Sequence, residues 1–445
     1  MTTSFSDIKR LFEQRKNNPL FNTSYPLSPD DWAKYSVPGI LPFDASNPVA
    51  LYVHIPFCKQ ICSFCEYTKM CMPSKELQRN YFNALIDDIE RFLGLYPDVT
   101  LYGLDIGGGT PTAVDAGIFA GFISWLSEFI SDKMITADFE PSIEGSFDTL
   151  VDDYWGKHRS YYIAQAGIKR LSLGIQSTSS DVLNPLHRNV ISPKKMRESM
   201  AYWHKQGISK INLDLMYGLP GQTIATIRQD ISVIRELNPE QVTVYEFRTN
   251  QLRNTYKTNP QYCYAQYCEL YNGLTQLGYN GEFGRNTFSK YPIDCGLSSY
   301  LRHRMFDGWQ YKGFGISAQS MSRFGVSYNR GKNQHIGKMI ASEWLIDNDY
   351  TYEPPTYYQL PREELLSKFI AISGYSGGFS LSAVKELYGS DFISNYQHII
   401  HFLVHENLAL INDNRLQLTE LGFRHYGAVL SLFNIRDNEG VHIQI

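Results

Sequence analysis

Nothing in this 445-residue chain comes near the roughly 20 consecutive apolar residues that a bilayer-spanning helix needs, so no transmembrane segment is expected. The amino end, MTTSFSDIKRLFEQRKNN, lacks the apolar centre of a secretory signal, which makes the cytoplasm the expected location. Charge is scarce, at 19% of residues, and shows no basic surplus, with 41 Lys and Arg against 45 Asp and Glu. A chain of that balance is poorly suited to neutralising a phosphate backbone, and nucleic acid is not an expected partner. Cysteine is limited to seven, and there is no internal repeat and no low-complexity tract. At this length a small disulfide-stapled scaffold is excluded, and the 43% of apolar residues argues against a disordered chain.

Aromatic residues are abundant instead: 31 Tyr, 25 Phe and 6 Trp, enough to line a roomy pocket for a flat ligand as well as to pack a core. The length leaves room for one large α/β body with accessories. Residues 1–48 are polar and punctuated by proline, and read as an arm with one short helix near Ile8 to Gln14. From Val49 onward apolar strand candidates alternate with helical stretches: 49–57, 99–107, 135–144, 169–176, 210–218 and 241–248. Six successive β-then-α units require parallel pairing with right-handed crossovers. The expected fold class is therefore α/β, a whole or partial TIM-type barrel over 49–290, with an open doubly wound sheet as the alternative. Residues 291–350 read as completion of the barrel, with GFGISAQSM (313–321) as one more strand and turn, and TYEPPTYYQLP (351–361) reads as a linker. Helices near 362–373, 381–388 and 392–406, followed by a hairpin turned at Asp413-Asn414, predict a winged-helix-like carboxyl domain over 351–445. Its mixed charges favour packing or a lid over DNA binding.

In a barrel, functional groups gather at the carboxyl ends of the strands. Here those ends carry a cysteine loop, three glycines, Glu144, Gln176, Asp214 and Glu246. In HIPFCKQICSFC (54–65), Cys58, Cys62 and Cys65 are spaced C-x3-C-x2-C directly after a strand. Three thiolates on one loop can hold three irons of a cuboidal [4Fe–4S] cluster and leave the fourth open. A single zinc ion would have to recruit a further donor such as Cys71 or His54. In GGGTPT (107–112) the glycines allow a backbone to pass close to a ligand and offer it N–H groups.

These segments, together with SIE (142–144), LSLGIQS (171–177), LNPLHR (183–188) and NLDLMYGLPGQT (212–223), resemble the radical S-adenosylmethionine (SAM) superfamily. Within it the likeness is to the branch of the oxygen-independent coproporphyrinogen III dehydrogenase, often termed HemN-like, and it runs from about Asn22 to the carboxyl end. The resemblance implies that Cys58, Cys62 and Cys65 ligate a [4Fe–4S] cluster whose open iron takes a first SAM. It further implies that Tyr52, Phe64, Gly108, Gly109, Thr110, Glu144, Gln176, Arg188, Asp214 and Gln319 hold or adjoin cofactor molecules, of which there would be two. Glu140 competes with Glu144, which is preferred because SIE matches the family strand. Reductive cleavage of SAM to a 5′-deoxyadenosyl radical is the implied chemistry, and a one-electron donor such as flavodoxin or ferredoxin the implied partner.

Three positions depart from the coproporphyrinogen enzyme: Cys65-Glu66-Tyr67 lacks its further cysteine, Gln319 replaces an aliphatic residue, and Arg248 replaces a small one. These departures make C-methylation of a flat unsaturated or aromatic substrate the leading expectation. Oxidative decarboxylation of coproporphyrinogen III is the alternative. A heme-binding chaperone ranks last, since such relatives usually begin almost at the HIPFC strand. Tyr217, Tyr245, Glu246 and Arg248 are the candidates for substrate contact or proton transfer. His398, His401 and His405 fall at helical spacing, where packing or solvation is a commoner role than ligation.

Overall fold

The computed structural model describes residues 4–16, 29–65, 67–150, 153–154, 157–247, 259–331, 352–374, 376–389 and 391–434. Its body is a twelve-stranded sheet. In chain order the strands are β1 (Ser36–Pro38), β2 (Val49–Ile55), β3 (Leu101–Gly108), β4 (Ile135–Gly145), β5 (Arg170–Gln176), β6 (Lys210–Tyr217), β7 (Gln241–Glu246), β8 (Thr287–Ser289), β9 (Tyr311–Phe314), β10 (Gln319–Ser322), β11 (Gly325–Tyr328) and β12 (Thr356–Tyr358). In space they run β1-β12-β11-β10-β9-β2-β3-β4-β5-β6-β7-β8.

Strands β2 to β7 are the six expected ones, mutually parallel, and β9 pairs parallel to the free side of β2. Apart from β4 they are largely apolar, as expected of parallel strands covered by crossover helices, and β2 is buried almost throughout. Among the described residues no ladder joins the two sheet edges. Both ends are blocked by antiparallel additions: β8 lies against β7, and β10 to β12 extend the sheet beyond β9. Crossover helices begin on side-chain caps. Ser74 accepts from the Leu77 N–H at the start of Lys75–Leu95, Asp115 caps Ala116–Ser131, and Thr223 and Thr226 form a capping box on Ile224–Leu237.

The expected linker is a correction. Within TYEPPTYYQLP the residues Thr356–Tyr358 form β12, paired with Ser36–Pro38 on one side and with Val326 on the other. The amino-terminal helix is longer than expected, Phe5–Lys16, and it is packed: Ile8 and Phe12 are buried in a second hydrophobic cluster with Phe369, Phe379, Phe402 and Leu416. That cluster is the core of helices Arg362–Ser373, Leu381–Tyr388 and Asp391–His405 and a three-stranded sheet closed by the hairpin 409–418. His401 and His405 lie on that long helix with their rings edge-on to Phe5, the packing role.

Candidate functional site

The carboxyl ends of β2 to β7 open into one cavity of about 560 Å³. Cys58, Cys62, Phe64, Cys65, Gly108, Gly109, Thr110, Glu144, Gln176, Arg188, Asp214, Tyr245 and Glu246 all line it. Residues up to 188 positions apart are thus brought together because parallel strands end on the same side.

The cysteine loop is held by its backbone. A two-residue ladder, Phe57 with Met70 and Cys58 with Cys71, closes its base. His54 Nε2 donates to the Thr68 carbonyl at 2.8 Å, which leaves Nδ1 to accept from the Tyr52 hydroxyl at 3.3 Å. Burial holds that imidazole neutral, with its pKa pushed down to about 4. Lys69 donates to the carbonyls of Cys65 and Tyr67 inside the loop.

The glycines make this approach possible. Gly108 has φ of +120°, and a Cβ there would meet the His54 ring at 2.8 Å. A Cβ on Gly109 would strike the Pro56 and Phe57 backbones at 2.7 to 2.8 Å, where the Gly109 N–H donates to Ile55 and the Thr110 N–H to Phe57.

The thiols sit beside positive charge: Arg188 Nη1 donates to Cys62 Sγ at 3.3 Å, and its Nη2 donates to the Gly174 carbonyl. Burial pushes the Cys58 thiol up to about 12 and raises that of Cys65, so both are neutral until a metal displaces their protons. Among the described residues no three Cys, His, Asp or Glu side chains are gathered as for a single metal ion. Three sulfurs on one cavity wall, with a guanidinium beside them, fit a [4Fe–4S] cluster better than one zinc.

The carboxylates form the rest of the site. Glu144 accepts from the Gly108 N–H at 3.1 Å; its carboxyl is open to the cavity yet surrounded by protein, and burial pushes its pKa up to about 7, with Asp214 and Asp105 acting in the same direction. A Cβ on Gly107 would fill the place of that carboxyl. Asp214 is raised by burial and held by Ser172 Oγ at 3.1 Å and Asn212 Nδ2 at 2.7 Å. Glu140 stands apart, ion-paired with Lys210 at 2.8 Å. Glu246 accepts from the Tyr426 hydroxyl at 2.8 Å.

Some expected residues lie elsewhere. Tyr217 is outside the lining and packs on Tyr267 with ring centroids 5.8 Å apart. Gln319 is also outside it, donating to the Tyr328 hydroxyl at 3.1 Å across β10 and β11. Tyr52 stands behind the lining, stacked on Tyr300 at 5.9 Å. Arg248 lies outside the described residues.

The structure adds Tyr67, Ser172, Gly174 and Met216 to the lining. It also adds Asp230, which accepts from the Thr178 N–H at 2.6 Å and from the Ser177 and Thr178 hydroxyls, and so fixes the turn after Gln176. Gln176 itself takes φ of +63°. Gly174 was legible in LSLGIQS as a glycine inside a strand; Asp230 had no signal beyond being an acid on the buried face of a helix.

The Radical SAM superfamily description matches residues 52–234, the span that holds the loop, the glycines and the carboxylates up to Asp214. Residues 52–234 thus form a radical SAM domain. The chain is 25% identical over 391 residues to the heme chaperone HemW of Bacillus subtilis (strain 168), covering 85% of this chain and 98% of that one. It is 24% identical over 332 residues to the oxygen-independent coproporphyrinogen III oxidase of Escherichia coli (strain K12), covering 70% of each. The solved structure of coproporphyrinogen III oxidase (HemN) from Escherichia coli has the same fold, with a TM-score of 0.69 at 21% identity over 88% of this chain and 91% of that one. Within the superfamily, the chain is similar to the HemN-like branch. The ranking of heme chaperones last is not upheld, because the match to HemW spans nearly that whole protein.

Proposed function

We propose that this radical SAM protein is an oxidoreductase of the coproporphyrinogen type, taking hydrogen from a carboxylated, reduced tetrapyrrole. One observation carries the radical SAM part: a single cavity is lined by Cys58, Cys62 and Cys65 together with Glu144, Gln176, Arg188 and Asp214. The tetrapyrrole part is supported by two sets of relatives, one named for coproporphyrinogen and one for heme. This reading is preferred to methyl transfer, for which neither the relatives nor the cavity offers support.

When bound, a [4Fe–4S] cluster and SAM supply one-electron chemistry that ends in hydrogen abstraction. The chain does the rest. Cys58, Cys62 and Cys65 would hold the cluster, and Arg188 offsets thiolate charge at Cys62. The Glu144 carboxylate and the adjacent Gly108 N–H would take the ammonium and carboxylate groups of an amino acid, and Asp214 accepts from hydroxyls, as it already does from Ser172. Phe64, Met216 and Tyr245 add apolar wall that excludes water.

A second reading, heme binding without turnover, is favoured by the full-length match to the chaperone. Anaerobic reconstitution with iron and sulfide, then dithionite, SAM and coproporphyrinogen III, separates the possibilities. 5′-Deoxyadenosine and carbon dioxide that rise with the porphyrinogen support the proposal. Stoichiometric heme binding without turnover supports the chaperone reading, and S-adenosylhomocysteine would restore methyl transfer.

A further inference from the structure

Four carboxylates line the cavity: Glu144 and Asp214 have a place in holding the cofactor, and Asp148 is ion-paired with Lys195. Glu246, at the end of β7, is the fourth. It differs from Glu144 and Asp214 in what holds it: the Tyr426 hydroxyl donates to its Oε2 at 2.8 Å, and Tyr426 belongs to the helix Tyr426–Ser431 of the carboxyl-terminal cluster, 180 positions away. That helix is itself anchored. The ring of Tyr426 stacks on Phe423 at 5.7 Å, Phe423 packs on Tyr267 at 4.6 Å, and the buried Arg15 of the amino-terminal helix donates to the Ser431 carbonyl. The helical unit that carries Tyr426 therefore reaches the cavity wall through a bond to a carboxylate.

We propose that Tyr426 is a positioning residue that aims the Glu246 carboxylate at pyrrole N–H donors of the substrate. An ionised carboxylate only accepts hydrogen bonds, so the groups it recognises must donate. A free-base or reduced tetrapyrrole presents inward N–H groups; a metallated one has none. The pairing would therefore select unmetallated tetrapyrroles over heme-like ones. This inference rests on the tetrapyrrole reading above, and it deepens that reading by naming which tetrapyrroles the site prefers.

The test is anaerobic fluorescence titration of the reconstituted full chain with free-base coproporphyrin III and with its zinc complex. Wild type, Tyr426→Phe and Glu246→Gln are compared, each checked for folding by circular dichroism and for iron content. Tyr426→Phe keeps the ring that stacks on Phe423 and removes only the hydroxyl. Wild type should prefer the free base, and each variant should lower that preference by roughly tenfold, the size of a lost hydrogen bond to a charged group. Equal weakening of both ligands would mark a structural role and overturn the inference, as would a preference that neither variant changes. A wild-type protein that binds neither ligand would overturn the tetrapyrrole reading itself.

Discussion

Gly174 offers a substitution that should damage the site while sparing the fold. It lies inside β5, where its carbonyl accepts from Arg188 Nη2 while Nη1 of the same guanidinium reaches Cys62 Sγ at 3.3 Å. A Cβ at this position would meet Gln176 Nε2 at 2.5 Å and Arg188 Nη2 at 3.3 Å. Both are ends of side chains, so the backbone has no need to move and the folding cost of Gly174→Ala should be about 1 kcal/mol or less. Part of even that is offset by the lower entropy of the unfolded alanine chain. The site is hit harder, because the displaced atoms belong to two groups expected to hold the cofactor. Losing a charge-assisted hydrogen bond from Arg188 costs about 1.5–3 kcal/mol, or roughly 10- to 100-fold in affinity. The assay is equilibrium binding of SAM to anaerobically reconstituted protein, alongside thermal unfolding of the same samples. Weaker SAM binding at an unchanged melting temperature is expected. Unchanged affinity would refute the placement of Arg188 and Gln176 in the cofactor site, and a collapsed melting temperature would refute the reasoning from side-chain ends.

Gly109→Ala should do the reverse, since its Cβ strikes the Pro56 and Phe57 backbones; a loss of about 1–3 kcal/mol in urea unfolding and a lower iron content after reconstitution are expected. Gly121, exposed within the helix Ala116–Ser131 with nothing near its Cβ position, gives the opposite sign: Gly121→Ala should gain about 0.5–1 kcal/mol and leave SAM binding unchanged. Because the Glu144 carboxyl is raised to about 7, it is largely protonated at pH 6, so SAM affinity should climb from pH 6 to pH 8 and flatten in Glu144→Gln; a wild-type profile that is already flat removes Glu144 from that role. Asp230, raised by burial from 3.8 to about 6, binds its proton more tightly when folded, so wild type should gain stability relative to Asp230→Asn as pH falls from 7 to 5, and a change of the opposite sign in thermal melts would contradict its burial.

The sequence makes the parallel part of the fold readable because most of the β2-to-β7 strands are local apolar runs spaced for crossover helices. It hides β12, because two prolines precede Thr356 and the strand exists only through pairing with residues some 320 positions earlier. The site was legible wherever a residue type had one plausible use, as with the cysteine triplet and the glycines. It misled at Tyr217, and the alternation of a strand explains why: Asp214 and Met216 face the cavity, so the next residue must face away, onto the helix Pro260–Gln276. Gln319 fails for a different reason, since its neighbourhood depends on the antiparallel extension that no local pattern announces.

The boundary of the family match separates two kinds of residue in one cavity. Within 52–234 lie the cysteines, the glycines, Glu144, Gln176, Arg188 and Asp214, the residues proposed to hold the cofactor. Tyr245 and Glu246 lie beyond it, and Tyr426 further still, yet the first two line the same cavity and the third is bonded to it. A heme chaperone and a porphyrinogen oxidase resemble this chain about equally, at 25% and 24% identity, so overall likeness does not choose between them. The choice between them falls to β7 and the helix that touches it. If Glu246 and Tyr426 select N–H donors, this chain belongs with those that act on unmetallated rings.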